Sequence, residues 1–294
     1  MIILVLVTIL WAFSFSLIGV YLAGNVDNDF AVLTRVLCGA LVFLPLLRWR
    51  GVPGGFRLGM TLVGASQFGI TYLLLYRSFA FLSVPEVLLF TVFTPIYITL
   101  MDDALHRRFA PVALLAAVLA TLGAGIIRYD GLSESYITGF LMLQGANLAF
   151  AAGQIGYRRL YERYSLGVPA WRLFGYFFLG AILIALPSFL IFGNREMLPA
   201  TPWQWLVLGW LGFAASGAGL FFWNQGARQV DAGTLAVMNN ALVPAGLLVN
   251  LLIWNRDADL LGLALGGGLI GLSLWVNQHF RPNLSGARND PGKG

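Results

Sequence analysis

Apolar stretches of about twenty residues follow one another along almost the whole chain, with short polar connections between them. A helix needs roughly 20 apolar residues to cross the hydrocarbon core of a bilayer, so each stretch predicts one membrane span. We number the predicted spans in chain order from 1 to 10: residues 2–22, 30–47, 58–79, 84–101, 111–127, 137–157, 170–192, 203–223, 232–254 and 260–276. The pattern predicts an all-α integral membrane protein with ten transmembrane helices.

The two halves of the chain share residues at a constant offset. Ile18 and Gly19 in span 1 recur 137 positions later as Ile155 and Gly156 in span 6. Ten spans divide into five and five, and an odd number per repeat makes the second copy enter the membrane from the opposite side. We therefore expect two inverted five-helix repeats. Such repeats are typical of transporters with a substrate site near the bilayer midplane, at the repeat interface.

The predicted repeats also set the domain boundaries. The first repeat comprises residues 1–128 with spans 1–5, and the second comprises residues 136–280 with spans 6–10. The connection between residues 128 and 135 joins them. Residues 281–294 are polar and rich in glycine and proline, which predicts a disordered tail.

The charges fix the expected orientation. Charged residues make up only 11% of the chain, against about 25% in soluble proteins, and the arginines cluster in alternate connections. Because arginine near span ends is retained in the cytoplasm, both termini and the tail are predicted to be cytoplasmic. The same bias explains the pI of about 9.6, so we expect the lipid bilayer, and no nucleic acid, as the partner of the basic surface.

The residue inventory excludes several chemistries. The sole lysine, Lys293, is followed by Gly294, so the chain lacks the Walker A sequence that binds ATP phosphates. His106 and His279 are too far apart in sequence for a zinc-binding pair, and Cys38 is the only cysteine, so no metal or other cofactor is expected. A catalytic serine would need a base in the membrane, and none is present. We therefore do not expect an enzyme.

Two prolines interrupt predicted spans. Pro95 in span 4 and Pro244 in span 9 free the carbonyls of Thr91 and Asn240, four residues earlier. The prolines occupy matching places in the two halves, and paired interruptions of this kind indicate the binding site of a transporter. The alternative is a simple kink whose carbonyl is satisfied by neighbouring helices.

Polar and aromatic residues inside the spans are the candidates for substrate binding. Asn239 and Asn240 project about 100° apart, so we expect one to face a cavity and the other a neighbouring helix. Hydrogen bonding between helices without a ligand is the alternative. Together with an arginine considered next, the candidate set is Trp11, Gln67, Tyr72, Arg77, Thr91, Phe93, Asn147, Trp223, Asn239 and Asn240.

Three charges lie within or at the edge of the predicted hydrocarbon region: Arg35, Arg77 and Glu86. Intramembrane charges are costly unless paired and indicate function by default. Arg77 and Glu86 flank the tight connection between spans 3 and 4, so one hypothesis is an ion pair between them. The second hypothesis is that Glu86 gains and loses a proton during transport.

Three segments resemble a known family. The doubled five-span arrangement resembles the EamA branch of the drug/metabolite transporter superfamily. More narrowly, ILWAFSFS at 9–16, GAGIIRYD at 123–130 and VDAGTLAVMNNALVPAGLLVN at 230–250 resemble the YigM-type biotin transporters of enterobacteria. The resemblance implies a secondary transporter in the bacterial inner membrane that imports biotin by alternating access.

Biotin carries a ureido group, an apolar sulfur ring and a carboxylate. We expect the amides to bind the ureido group, the aromatic residues to contact the ring, and Arg77 or Arg35 to bind the carboxylate. One alternative is an exporter of amino acids or other small amphipathic metabolites with the same fold. A scaffold with no ligand is a further alternative, disfavoured by the paired prolines. The oligomeric state stays open, and a monomer is compatible with the sequence.

Overall fold

We analysed a computed structural model of the chain. It describes residues 1–107 and 134–254 continuously, together with isolated positions between 109 and 122 and between 261 and 279. The predicted spans 5 and 10, the connection between the repeats and the tail lie largely or wholly outside the described residues. Regular structure in the described ranges is helical throughout.

Helices occupy the eight predicted spans that fall in the described ranges, and we keep the span numbers for them. Spans 1, 7 and 9 agree with the predicted bounds, whereas span 6 runs two turns longer, into an arginine-rich segment. The bounds are Ile2–Leu22 for span 1, Asn28–Phe43 for span 2, Gly54–Ser78 for span 3, Val84–Phe90 and Thr94–His106 for span 4, Glu134–Arg163 for span 6, Ala170–Phe192 for span 7, Pro202–Ala227 for span 8, and Ala232–Asn240 and Leu242–Trp254 for span 9.

Six of these helices are long and apolar enough to cross a membrane: spans 1, 3, 4, 7, 8 and 9. Their outer faces carry large apolar side chains, as at Leu183, Ile191 and Phe192 of span 7, which are 64 to 70% exposed. Contiguous apolar surface of this kind is expected where helices face lipid. The chain is therefore a multi-pass membrane protein.

Local side-chain chemistry sets where several helices begin. Asp27 accepts a hydrogen bond from the Phe30 amide at the start of span 2, and Asp231 accepts one from the Thr234 amide at the start of span 9. Each carboxylate satisfies a backbone N–H that has no partner within the helix.

The helices are irregular at matching places in the two halves. Span 3 contains a π-helical segment at Ala65–Ile70, and span 8 contains one at Leu211–Ala218. Span 4 is interrupted by a 3₁₀ turn at Thr91–Phe93, and span 9 is interrupted at Ala241. The interruptions predicted from Pro95 and Pro244 are therefore present, each just before its proline. Such irregularities are frequent at functional sites.

The first and second halves pack closely on each other. Span 2 packs along span 7, and the second part of span 4 packs along the first part of span 9. Spans 3 and 7 approach at backbone distance, since a Cβ at Gly64 would overlap the Phe177 carbonyl and one at Gly180 would overlap the Thr61 carbonyl. Small residues at helix crossings are a common packing device in membranes. This packing encloses the cavity described next.

Candidate substrate cavity

A cavity of about 80 Å³ lies inside the helix bundle, which is enough room for ordered water. Spans 1, 3, 4, 6, 8 and 9 line it, as does Arg35 from span 2. Its wall is mostly apolar and aromatic, with a small number of polar groups. This composition is typical of sites for small molecules.

The most unusual group in the wall is the guanidinium of Arg35. The residue is 1% exposed, its Nε donates to Ser216 Oγ at 2.9 Å, and its NH1 donates to Tyr76 Oη at 3.0 Å. Its Cζ lies 4.4 Å from the ring centroid of Tyr72. No carboxylate pairs with Arg35 among the described residues. The cavity is therefore bordered by a buried cation to which the described part of the chain supplies no negative counterpart.

The arginine still has donors to offer. A guanidinium carries five N–H groups, and two of them are used by Ser216 and Tyr76. The other three have no hydrogen-bond partner in the described ranges and are open to a ligand. Burying an ion costs several kcal/mol unless its charge and its hydrogen bonds are compensated, so an anionic ligand is the natural complement.

Two tryptophans form an aromatic wall. The rings of Trp11 and Trp223 lie 4.8 Å apart and are tilted by 33°, and Phe150 meets Trp11 edge-on at 6.1 Å. Trp11 Nε1 donates to the carbonyl of Ala215 at 2.8 Å, within the π-helical segment of span 8. Trp223 is 1% exposed, and its Nε1 has no partner among the described residues. The two tryptophans and Phe150 thus give the cavity an aromatic, largely apolar wall.

Two asparagines supply the polar wall from spans 6 and 9. Asn147 donates to the carbonyl of Phe90 at 2.7 Å, which places it against the interruption of span 4. Asn239 lies in the last turn before the interruption of span 9, where it exchanges two hydrogen bonds with Gln154 at 3.1 and 3.3 Å. Both asparagines therefore reach the cavity at the helix interruptions.

Six of the ten residues predicted from sequence line this cavity. The set comprises Trp11, Tyr72, Thr91, Asn147, Trp223 and Asn239. Of the two adjacent asparagines, Asn239 lines the cavity, while Asn240 is 0% exposed and does not line it.

The other four residues lie away from the cavity. Gln67 and Asn240 are fully buried in packing, and their side-chain amides have no partner among the described residues. Phe93 packs edge-on against Phe140 at 6.0 Å.

Arg77, the fourth, is the clearest correction. Its NH2 donates to Asp29 at 2.7 Å and to Ser188 at 3.1 Å, so its charge is already neutralised by span 2. The expected ion pair between Arg77 and Glu86 was therefore wrong. Glu86 instead accepts hydrogen bonds from the amide and hydroxyl of Ser83 at 2.6 and 2.7 Å and caps the start of span 4.

Some cavity residues escaped the candidate set. Ser14 lines the cavity, and its Oγ has no partner among the described residues. Phe150 also lines it, and an apolar aromatic residue within a span gives no sequence signal for a site. From the sequence, Arg35 and Arg77 were equal candidates for binding the carboxylate. The arginine without a carboxylate partner could be recognised only once Asp29 was placed beside Arg77.

Comparison with known proteins decides the family. The EamA-like transporter family matches residues 1–129. A protein of Pseudomonas aeruginosa named "Probable biotin transporter" is 62% identical over 94% of this chain and 96% of its own length. Proteins of Salmonella typhimurium and Escherichia coli named "Biotin transporter" are 50% and 49% identical, each over 95% of this chain and 93% of their own. This chain belongs to the EamA-like transporter family.

A solved structure supports the fold over nearly the whole of this chain. It aligns with a TM-score of 0.75 over 95% of this chain and 96% of its own residues, at 17% identity. Identity at that level carries the fold alone. The alignment extends the helical architecture beyond the 129 residues that the family model matches.

Proposed function

We propose that this chain is a secondary active transporter that imports biotin across the bacterial inner membrane by alternating access. The observation that carries the proposal is Arg35, a buried cation beside a cavity with no carboxylate partner among the described residues. Biotin is an anion of matching chemistry, and relatives that align with nearly the whole chain are named as its transporters.

The cavity wall complements each part of biotin. Three unused N–H groups of Arg35 suit the carboxylate, and charge-assisted hydrogen bonds of this type are stronger than neutral ones. Trp11 and Trp223 supply flat apolar faces for the fused rings. The amides of Asn147 and Asn239 face the same cavity and suit the ureido group.

Alternating access is supported by the symmetry of the irregularities. Spans 3 and 8 share π-helical segments, and spans 4 and 9 share interruptions, which is expected of two repeats in inverted orientation. The π-helical turn at Ile18–Leu22 of span 1 has no counterpart in span 6. The cavity draws residues from both halves, with Tyr72 from the first and Asn239 from the second. The cavity of about 80 Å³ is smaller than the roughly 300 to 1,000 Å³ of typical ligand pockets, so it must widen to hold biotin. Rocking of one half against the other would widen this cavity and open it to each side in turn. A proton gradient acting through Glu86 is the proposed driving force.

Uptake of labelled biotin tests the proposal directly. Cells that lack their own importer would express this chain, with and without a protonophore. Saturable uptake that the protonophore abolishes is the expected result. No uptake despite confirmed expression in the membrane would contradict import, and efflux of labelled amino acids from preloaded cells would then favour an exporter.

A further inference from the structure

The orientation of the Asn147 amide is fixed by a backbone carbonyl. Its Nδ2 donates to the Phe90 carbonyl at 2.7 Å and to Gln144 Oε1 at 3.4 Å. A carbonyl oxygen can only accept, so the atom facing Phe90 must be the amide nitrogen. The two N–H groups of Asn147 are thus both used, and its Oδ1 accepts no hydrogen bond from the described residues.

The Asn239 amide is fixed in the same way. Its Nδ2 donates to the Leu235 carbonyl at 2.8 Å and to Gln154 Oε1 at 3.3 Å, which uses both N–H groups. Its Oδ1 accepts one hydrogen bond, from Gln154 Nε2 at 3.1 Å. A carbonyl oxygen has two lone pairs, so one remains.

Both asparagines can therefore act toward a ligand only as acceptors. We infer that Asn147 and Asn239 are specificity-determining residues that each accept one N–H of the ureido ring, and that they select a ligand with two N–H donors. The inference rests on the proposed function and deepens it. The two N–H groups of a cyclic urea lie on either side of its carbonyl, so the ring needs one acceptor on each side.

The two acceptors line the same cavity, and both are tied to span 6. Asn147 and Gln154 lie seven residues apart on span 6, which is about 10 Å along the helix axis, and Asn239 is bonded to Gln154. Gln154 is 0% exposed and does not line the cavity. It is a positioning residue, because it holds the second N–H of Asn239 away from the ligand. Gln144 has the corresponding role for Asn147.

Competition against labelled biotin on the purified full chain tests the inference. The two probes are cyclic carbamates in which one or the other ureido N–H of biotin is replaced by oxygen, a change of almost no volume. Desthiobiotin, which lacks sulfur but keeps both N–H groups, is the control ligand. We expect each carbamate to bind the wild type at least about 10-fold more weakly than biotin, because two acceptors then face each other.

The variants assign each acceptor to one N–H. Asn239→Ala should reduce the penalty for one carbamate to less than about 3-fold and leave the penalty for the other, and Asn147→Ala should do the reverse. Gln154→Leu should weaken discrimination against the same carbamate as Asn239→Ala. The ratio of desthiobiotin to biotin should stay constant in all three. A merely structural role would lower affinity for every ligand together and leave these ratios unchanged.

The outcomes separate the inference from the proposed function. A wild type that binds biotin but does not distinguish it from either carbamate overturns the inference alone, without any variant having to fold. A wild type that binds no biotin overturns the proposed function, and the inference with it.

Discussion

Replacement of Arg35 by glutamine should abolish tight biotin binding without unfolding the protein. The variant keeps a polar side chain in the same place but removes the charge and the three N–H groups left for a ligand. A hydrogen bond to a charged group contributes about 1.5 to 3 kcal/mol, so two lost bonds to the carboxylate cost at least about 3 kcal/mol. Since 1.4 kcal/mol is tenfold in affinity, Kd should rise about 100-fold or more.

The unliganded protein should tolerate the same change. The variant loses the hydrogen bonds from Arg35 to Ser216 and Tyr76 and the contact with the Tyr72 ring. Loss of these contacts lowers the stability of the folded state. The removed charge is itself costly to bury, so the two effects offset each other. Isothermal titration of detergent-purified protein measures Kd, and thermal unfolding without ligand measures stability.

A neutral ligand makes the measurement specific to charge. The amide of biotin has no carboxylate, so it should bind the wild type about 100-fold more weakly than biotin does. To the Arg35→Gln variant, biotin and its amide should bind with similar, weak affinity. The reasoning is refuted if Arg35→Gln keeps its Kd for biotin within about threefold of the wild type, or if it still prefers biotin to the amide.

Arg77→Gln is the matched control. Arg77 is 33% exposed and pairs with Asp29, whose side chain is 7% exposed, outside the cavity. The variant leaves that carboxylate without its cation, so we expect a lower unfolding temperature and a Kd within about threefold of the wild type.

Three further predictions concern the tryptophan pair, Glu86 and the crossing of spans 3 and 7. Trp223→Phe should weaken biotin binding without lowering the stability of the unliganded protein, because Trp223 Nε1 has no partner among the described residues. Trp11→Phe should lower both the affinity and the stability, since Trp11 Nε1 donates to the Ala215 carbonyl. Titration measures the affinity of each variant, and thermal unfolding measures its stability. Glu86→Gln should lose uphill uptake in the protonophore assay, and full uphill uptake by this variant would remove the proton-coupling hypothesis. Gly180→Leu should prevent folding, read as loss of a monodisperse peak in size-exclusion chromatography, because a side chain there meets the backbone of span 3.

The helix interruptions could be predicted from sequence because their cause is local. Proline cannot donate a backbone hydrogen bond and clashes with the preceding turn, and interruptions do precede Pro95 and Pro244. Proline alone does not decide the matter, since Pro187 lies inside the uninterrupted helix of span 7. The π-helical segments at 65–70 and 211–218 were not predicted. They depend on packing against other spans, and neither segment contains a residue type that forces the wider turn.

The arginines show where sequence reasoning ends. Arg35 lies within a predicted span and Arg77 near the end of one, both are candidates for a carboxylate, and only Arg35 lines the cavity. The difference is Asp29, which lies 48 residues from Arg77 in the chain and beside it in space. By contrast, the separation of Asn239 from Asn240 follows from helix geometry alone, although which one faces the cavity depends on the neighbouring spans.

The most direct test of the central claim is counterflow in proteoliposomes. Vesicles that contain the purified chain and are loaded with unlabelled biotin are diluted into a trace of labelled biotin. The account predicts transient accumulation of label by the wild type and none by Arg35→Gln. Accumulation no greater than in protein-free vesicles, with folded wild-type protein present, would contradict biotin transport by this chain.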